Sequence, residues 1–292
     1  MDSSDPANEI AREHLHTIMS QFGCLVVRDA EGNPMASGTG TLVKVDGHKL
    51  IITADHVADE LAAATGEMSL FIYPSADDIA ANPFSKLSFR IHPQDRIILP
   101  QGKTLDVAAF RAPRDVAAVP HLQWIEAPAQ LQAVEYLRSE YQKDSTPFNI
   151  VIVGFPNFSR ATDPSRRIHL FSNFQCWGSL RQFIDTPPIL AGNGAPAAQF
   201  IFDIEMPTEA NLPVDAPTLV RAFTRALDAE SASDREPIGG YSGAPVFYLS
   251  TAAHYLIGIT KEGRNDLAGL MFATTISDII VEIRNALLPL VA

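Results

Sequence analysis

Short apolar runs rich in β-branched residues, each closed by Gly, Asp or Pro, set the pattern of the chain. Gln21–Arg28 (QFGCLVVR), Ser37–Val45 (SGTGTLVKV) and Lys49–Thr53 (KLIIT) come first. Asp46-Gly47 separates the last two, a pair that tolerates positive φ at both positions and so favours a tight hairpin. Further runs of the same kind lie at Met68–Tyr73, Leu87–His92, Val107–Arg111, Asn149–Phe155, Phe200–Met206, Ala244–Leu249 and Tyr255–Thr260. Many short strands with turn punctuation point to barrels or sandwiches.

Helical spacing is confined to a few places. Residues 6–20 carry Ile10, Leu15, Ile18 and Met19 on one face; Gln130–Tyr141 and Ile276–Leu288 are amphipathic, and Thr218–Ala229 is a weaker candidate. The expected organisation is a helical segment over 1–21, a β-barrel over 22–125 and a linker helix over 126–147. A second barrel over 148–275 and a terminal helix over 276–292 complete it. Stretches 157–198 and 207–237, rich in Pro, Asn, Asp and Ser, read as insertions in the second barrel.

Composition narrows the function classes. The 292 residues carry 22 Lys plus Arg against 34 Asp plus Glu, a net charge of −12, which argues against nucleic acid as a partner. Asp2, Asp5, Glu9, Arg12 and Glu13 interrupt the first 20 residues, which excludes a signal-peptide core there, and no run has the length of a membrane span. Cys24 and Cys176 are far apart and form neither a disulfide framework nor a zinc site. The expected location is the cytoplasm, with no membrane partner.

Three strings carry candidate chemistry. Ile51-Ile52-Thr53-Ala54-Asp55-His56-Val57 is a strand running into a histidine. Leu105-Asp106-Val107-Ala108-Ala109-Phe110 opens a strand with an acid. Gly239-Gly240-Tyr241-Ser242-Gly243-Ala244-Pro245-Val246 sets a serine among glycines before a strand. Singly, each is more often a turn residue, a cap or a tight bend. Together, in the order His, Asp, Ser, they hold what acyl transfer needs: a nucleophile, a base to take its proton and a carboxylate to orient that base. The flanking glycines let backbone N–H groups face a developing oxyanion. A nucleophile elbow is excluded, because position 244 is Ala and strand follows the serine.

The strings Thr53-Ala54-Asp55-His56, Asp106-Val107-Ala108 and Gly240-Tyr241-Ser242-Gly243-Ala244-Pro245 resemble the three signatures of trypsin-like serine peptidases. Gly38-Thr39-Gly40-Thr41-Leu42-Val43 and Leu256-Ile257-Gly258-Ile259 agree with them. The resemblance implies an all-β, chymotrypsin-like fold of two six-stranded antiparallel barrels with peripheral helices and the site between the barrels. It implies that His56 is the general base, Asp106 its orienting acid and Ser242 the nucleophile. The oxyanion hole would come from the backbone N–H groups of Gly240 and Ser242. It implies no cofactor and no metal, and a protein or peptide as substrate.

Tyr241 stands where zymogen-activated members carry Asp, and Val57 where they carry Cys, so the likeness is to the disulfide-free bacterial and intracellular branch. Glu236, six residues before the serine, falls at the base of the family's primary pocket, and Glu262-Gly263 at its wall. A buried carboxylate there selects Arg or Lys, whereas an exposed Glu236 selects nothing. Restraint by a regulatory partner or by narrow specificity is expected of such an enzyme. A protease-like domain that binds a partner, with latent or lost catalysis, is the alternative function. His14 and His16 point to different helix faces and make a poor metal pair, and the other histidines read as surface or turn residues.

Overall fold

The computed structural model describes residues 14, 17–28, 34–63, 67–72, 87–143, 149–155, 160–163, 168–171, 174–184, 199–205, 241–249, 253–264 and 270–288. In the first lobe the strands are β1 (Phe22–Arg28), β2 (Pro34–Val45), β3 (His48–Thr53), β4 (Glu67–Ile72), β5 (Leu87–Arg90), β6 (Arg96–Ile97), β7 (Ala108–Arg111) and β8 (Ile125–Glu126). They form one sheet in the order β5-β4-β1-β2-β3-β7-β6, with β8 added in parallel to β2. The hairpin β2–β3 turns on Asp46 and Gly47 at φ 47° and 87°, the pair of positive values that a tight twisted hairpin needs.

Side chains alternate across a strand, so a sheet buried on both faces needs apolar residues at every position. That explains the continuous runs CLVV and LII. In β1, Leu25 and Val27 enter a core with Leu42, Ile51, Ala54, Val57, Leu70 and Phe110. Cys24 and Val26 face the other way, into a larger core that runs on through Ile150, Ile152, Val246, Phe247 and Ile279 of the second lobe.

That second lobe contains β9 (Asn149–Gly154), β10 (Arg160–Asp163), β11 (Ile168–Phe171), β12 (Phe174–Ile184), β13 (Gln199–Glu205), β14 (Pro245–Leu249), β15 (His254–Arg264) and β16 (Leu270–Thr275). Six of them close a barrel, β12-β13-β16-β15-β14-β9, while β10 and β11 pair with each other. The expected chymotrypsin-like class of two β lobes holds: the second lobe is a closed six-stranded barrel, and the first is a curled sheet ending in the short edge strands β5 and β6. The stretch 157–198 holds part of the barrel itself. This stretch is not simply an insertion, because β12 is a stave of the barrel, paired to β9 and β13. The weaker helix at Thr218–Ala229 and the stretch 207–237 lie outside the described residues.

Among the described residues the sheets are accompanied by the helices α1 (Asp55–Ala63), α2 (Gly102–Leu105), α3 (Arg114–Ala117), α4 (Ala127–Lys143) and α5 (Ile276–Leu287), and by a 3-10 turn at Pro93–Asp95. None among the described residues is long and apolar enough to cross a membrane. Helix α5 is capped by Thr275, whose hydroxyl accepts from Asp278 N–H, and its Ile276, Ile279, Ile280 and Ile283 pack with Val134 and Leu137 of α4. From this position α5 reaches the first lobe twice. Arg284 grips the Asp46 carboxylate at 2.8 and 2.9 Å, and Glu282 accepts the Gln101 N–H at 2.9 Å, just before α2.

Between the lobes runs a seam of buried threonine hydroxyls. Thr53 Oγ1 donates to the Thr39 carbonyl at 2.8 Å, Thr41 Oγ1 to the Gly243 carbonyl at 3.1 Å, and Phe155 N–H to Thr39 Oγ1 at 3.2 Å. The Thr39 N–H donates to the Ser242 carbonyl at 3.1 Å. Gly243 sits in this seam at φ 85°, and a Cβ there would meet Thr39 O at 2.2 Å and Thr53 Oγ1 at 2.3 Å.

His254 is a departure from the surface reading of the histidines: it lies in β15, its ring edge-on to Phe247 and its Nδ1 3.3 Å from His14 Nδ1. Burial, with the neighbouring charge of His14, lowers its pKa from 6.5 to about 4.

Two predictions follow from this packing. Gly243→Ala adds both left-handed strain and a clash, and is expected to cost on the order of 3 kcal/mol in urea unfolding; a change under about 0.5 kcal/mol would contradict the docking. His254 binds a proton more readily when unfolded, so its contribution to stability is complete above the unfolded value of 6.5 and is lost as pH falls toward about 4. His254→Gln should flatten the stability–pH curve across that window, and an unchanged slope would refute the assignment.

Candidate active site

The strand β3 delivers His56. It ends at Thr53, the buried Ala54 follows, and Asp55 opens α1 with its carboxylate at the positive end of the helix. Arg96 on β6 pairs with Asp55 and, at 2.7 Å, with Asp59 one turn further on. Burial pushes the Asp55 carboxyl up, against the pull of Arg96 and with the help of the Asp59 and Asp106 charges. His56 thus stands on the first turn of a helix fastened from behind.

Asp106 arrives from the other side. The four-residue α2 ends on it, and its backbone is left-handed, φ 53° and ψ 52°, a region Asp tolerates better than most residues. The second lobe holds this turn: Thr274 Oγ1 donates to the Leu105 carbonyl at 2.6 Å. The carboxylate then meets His56 three times. Nδ1 lies 3.0 Å from Oδ1 and 2.9 Å from Oδ2, and the His56 backbone N–H donates to Oδ1 at 3.1 Å. The His56 side chain is 44 % exposed and that of Asp106 23 %. Burial works against the Asp106 charge. The hydrogen bonds and charge of His56 outweigh it, Lys261 adds to them, and the carboxyl is held below its usual range.

Ser242 is placed by the seam together with the barrel strand β15. Its carbonyl is bound by Thr39, and the neighbouring Gly243 N–H donates to the Thr260 carbonyl at 2.9 Å. The Thr260 hydroxyl donates its one proton to the Tyr241 carbonyl, the nearer of two carbonyls within its reach, lies 3.1 Å from the Ala244 carbonyl and accepts from Ala244 N–H at 2.9 Å, so one buried side chain clamps both ends of the turn. A Cβ at Gly38 would lie 2.5 Å from Val57 Cγ1 and 3.4 Å from the Ser242 carbonyl. The serine backbone is thus a neighbour of the residue after His56. Its hydroxyl donates to the Lys261 carbonyl at 3.0 Å, so its one proton is directed there and not at the imidazole. The Ser242 N–H donates to no acceptor among the described residues.

The structure therefore brings His56 and Asp106 into direct contact and turns the Ser242 hydroxyl to β15, while the Ser242 carbonyl and Val57, the residue after His56, both border Gly38. Gly240 and Glu236 lie outside the described residues. Glu262 and Gly263 are on β15, opposite Phe272 and Met271. Tyr241 is a core residue, 1 % exposed. Among the described residues no group of His, Cys, Asp and Glu could hold a metal ion. Sequence reasoning missed Thr39, Thr53, Thr260 and Lys261, which fix the serine turn; the one local signal was the Thr-rich stretch around Gly38–Thr41.

No protein-family model and no curated protein matches the chain. Solved structures do. One is Rv3671c from M. tuberculosis H37Rv, a serine-to-alanine mutant in its inactive form. It aligns at TM-score 0.52 and 14 % identity over 99 % of this chain and 98 % of that one. The same protease in its active form aligns at TM-score 0.50 and 13 % identity, over 96 % and 86 % of the two chains. At such identity the likeness speaks for the fold: the chain has the chymotrypsin-like architecture of these serine proteases, with little of their sequence.

Proposed function

We propose that the protein is a serine endopeptidase that cleaves protein or peptide chains through an acyl-enzyme, with His56, Asp106 and Ser242 as its triad. The observation that carries this reading is the His56–Asp106 contact. Both carboxylate oxygens lie within hydrogen-bond reach of Nδ1, so the ring proton is kept there and Nε2 is left as the basic nitrogen. In the first half-reaction Ser242 Oγ bonds to the substrate carbonyl carbon and its proton passes to His56. The carbonyl electrons move to oxygen and return as the amine leaves, taking the proton from His56. Water then repeats the sequence and releases the acid. The Ser242 N–H, which meets no acceptor among the described residues, supports an oxyanion role, which Gly240 would share.

For attack, the Ser242 hydroxyl must leave the Lys261 carbonyl and turn its proton to His56. That same hydrogen bond favours a second reading, in which the protein is a protease-like partner-binding domain whose catalysis is latent or lost.

Fluorophosphonate labelling, read by intact mass beside Ser242→Ala, separates the two. One adduct on the wild type and none on the mutant is expected of the peptidase. A protonated imidazole cannot accept the serine proton, so labelling should also fall on the acid side of histidine's titration, about pH 6.5 for the free side chain. No adduct on folded protein, or a rate flat from about pH 5 to about pH 9, would favour the latent domain.

The finer proposal is a preference for Arg or Lys at the cleaved position, with Glu236 at the base of the pocket and Glu262-Gly263 along its wall. The support is the spacing of Glu236 from Ser242 in the sequence. An Arg-containing peptide should be cut faster than its Leu analogue, and equal cleavage or preference for Leu would remove Glu236 from the pocket.

A further inference from the structure

The single turn of α2 leads directly into Asp106, and both ends of that turn are held from the second lobe. Glu282 of α5 is 6 % exposed, a depth at which a glutamate ordinarily has a partner. Its described partner is a main-chain group of the first lobe: Oε2 accepts the Gln101 N–H at 2.9 Å. Gln101 stands just before α2, and its side chain does not cap the turn. The Gln101 carbonyl accepts the Leu105 N–H at 2.9 Å, and the Leu105 carbonyl accepts the Thr274 hydroxyl at 2.6 Å. Thr274 lies on β16 and is 1 % exposed.

We propose that Glu282 and Thr274 are positioning residues of this site: by gripping the Gln101 N–H and the Leu105 carbonyl they fix the turn that aims the Asp106 carboxylate at His56. The inference rests on the triad reading above and deepens it. Asp106 follows Leu105 at φ 53° and ψ 52°, a conformation that costs a residue with a side chain and persists only where its surroundings over-determine it. Within the turn, the Asp106 and Val107 N–H groups both return to the Gly102 carbonyl. Those bonds close the turn on itself. The bonds from Glu282 and Thr274 tie it to the lobe that carries Ser242.

Neither side chain touches the reacting atoms, so their effect reaches the chemistry through Asp106. With the grip lost, the Asp106 backbone relaxes toward negative φ and its carboxylate leaves the Nδ1 edge of His56, where it now lies at 2.9 and 3.0 Å. The ring then loses the bond that keeps its proton on Nδ1, and Nε2 no longer stays free to act as base. Glu282 acts in this by geometry: a glutamine in its place still offers an oxygen to the Gln101 N–H, whereas a methionine of similar length is a poor acceptor.

The test is nitrogen NMR of the neutral His56 imidazole in the full chain, which reports its tautomer, run beside the fluorophosphonate labelling rate. Wild type, Glu282→Met, Glu282→Gln and Thr274→Val are compared. In Glu282→Met and in Thr274→Val the share of ring protonated on Nε2 should rise, and labelling should slow about tenfold. Glu282→Gln, which keeps an acceptor for Gln101, should hold the tautomer and the rate of the wild type. An unmoved tautomer in folded Glu282→Met or in folded Thr274→Val overturns the proposal, as does Glu282→Gln behaving like Glu282→Met. Failure of all three variants to fold makes the two residues packing elements and overturns it too. The imidazole readout needs no turnover. Absence of labelling in every form, wild type included, would therefore sink the hydrolase reading while the tautomer still decides the role of Glu282 and Thr274.

Discussion

Everything at this site depends on a glycine that has no room for a side chain. Gly243 is pressed against Thr39 O and Thr53 Oγ1 at distances that no Cβ could share, and its carbonyl is taken by Thr41. Thr53 is also the last residue of the strand that leads to His56. One close approach therefore sets the serine turn of the second lobe against the histidine strand of the first. The polar groups that this approach buries are matched one to one: Thr39 N–H with Ser242 O, Thr53 Oγ1 with Thr39 O, and Phe155 N–H with Thr39 Oγ1. Each such bond contributes only about 1 kcal/mol, but leaving one partner buried and unmatched costs about 1–3 kcal/mol. That asymmetry, more than the bonds themselves, specifies how the lobes meet.

The same logic reaches Asp106. Its left-handed backbone is unfavourable for a residue with a side chain, and the surrounding structure has to hold it. The holding groups come from the second lobe: Thr274 on the Leu105 carbonyl and Glu282 on the Gln101 N–H. His56 and Asp106 both belong to the first lobe, yet the geometry of their pair is maintained by residues of the second. Helix α5 is thus more than a terminal cover over the barrel, since it couples the hairpin at Asp46 and the loop before Asp106 to a single rigid element.

How much of this the sequence displayed varies from residue to residue. The strands Lys49–Thr53 and Asn149–Phe155 are legible because a β-branched run bounded by turn residues has few alternatives, and the hairpin at Asp46-Gly47 because two positive φ values in a row select those residues. The stave β12 is not legible. Its polar positions Gln175, Ser179, Arg181 and Gln182 sit among neighbours that read as loop, and closure of the barrel decides its state, not local preference. The order of His56, Asp106 and Ser242 in the chain announced a possible constellation; the threonines that assemble it did not announce themselves, since a buried threonine and an exposed one look alike in a sequence. Lys261 is the extreme case. Nothing in Thr260-Lys261-Glu262 marks a bulge, because a bulge is a property of two strands and their register.

The position of the Ser242 hydroxyl can be weighed in energy. One neutral hydrogen bond to the Lys261 carbonyl is worth about 1 kcal/mol, which favours the resting rotamer by roughly a factor of five. An imidazole that offers its own acceptor returns most of that when the side chain swings, so the net preference is smaller still. A resting state held this way is shallow, and a bound acyl group that gains oxyanion contacts worth several kcal/mol outweighs it. On the proposed peptidase reading, the hydrogen bond is a catch that a bound substrate would release. Latency deep enough to silence the enzyme needs a larger structural cost than one rotamer.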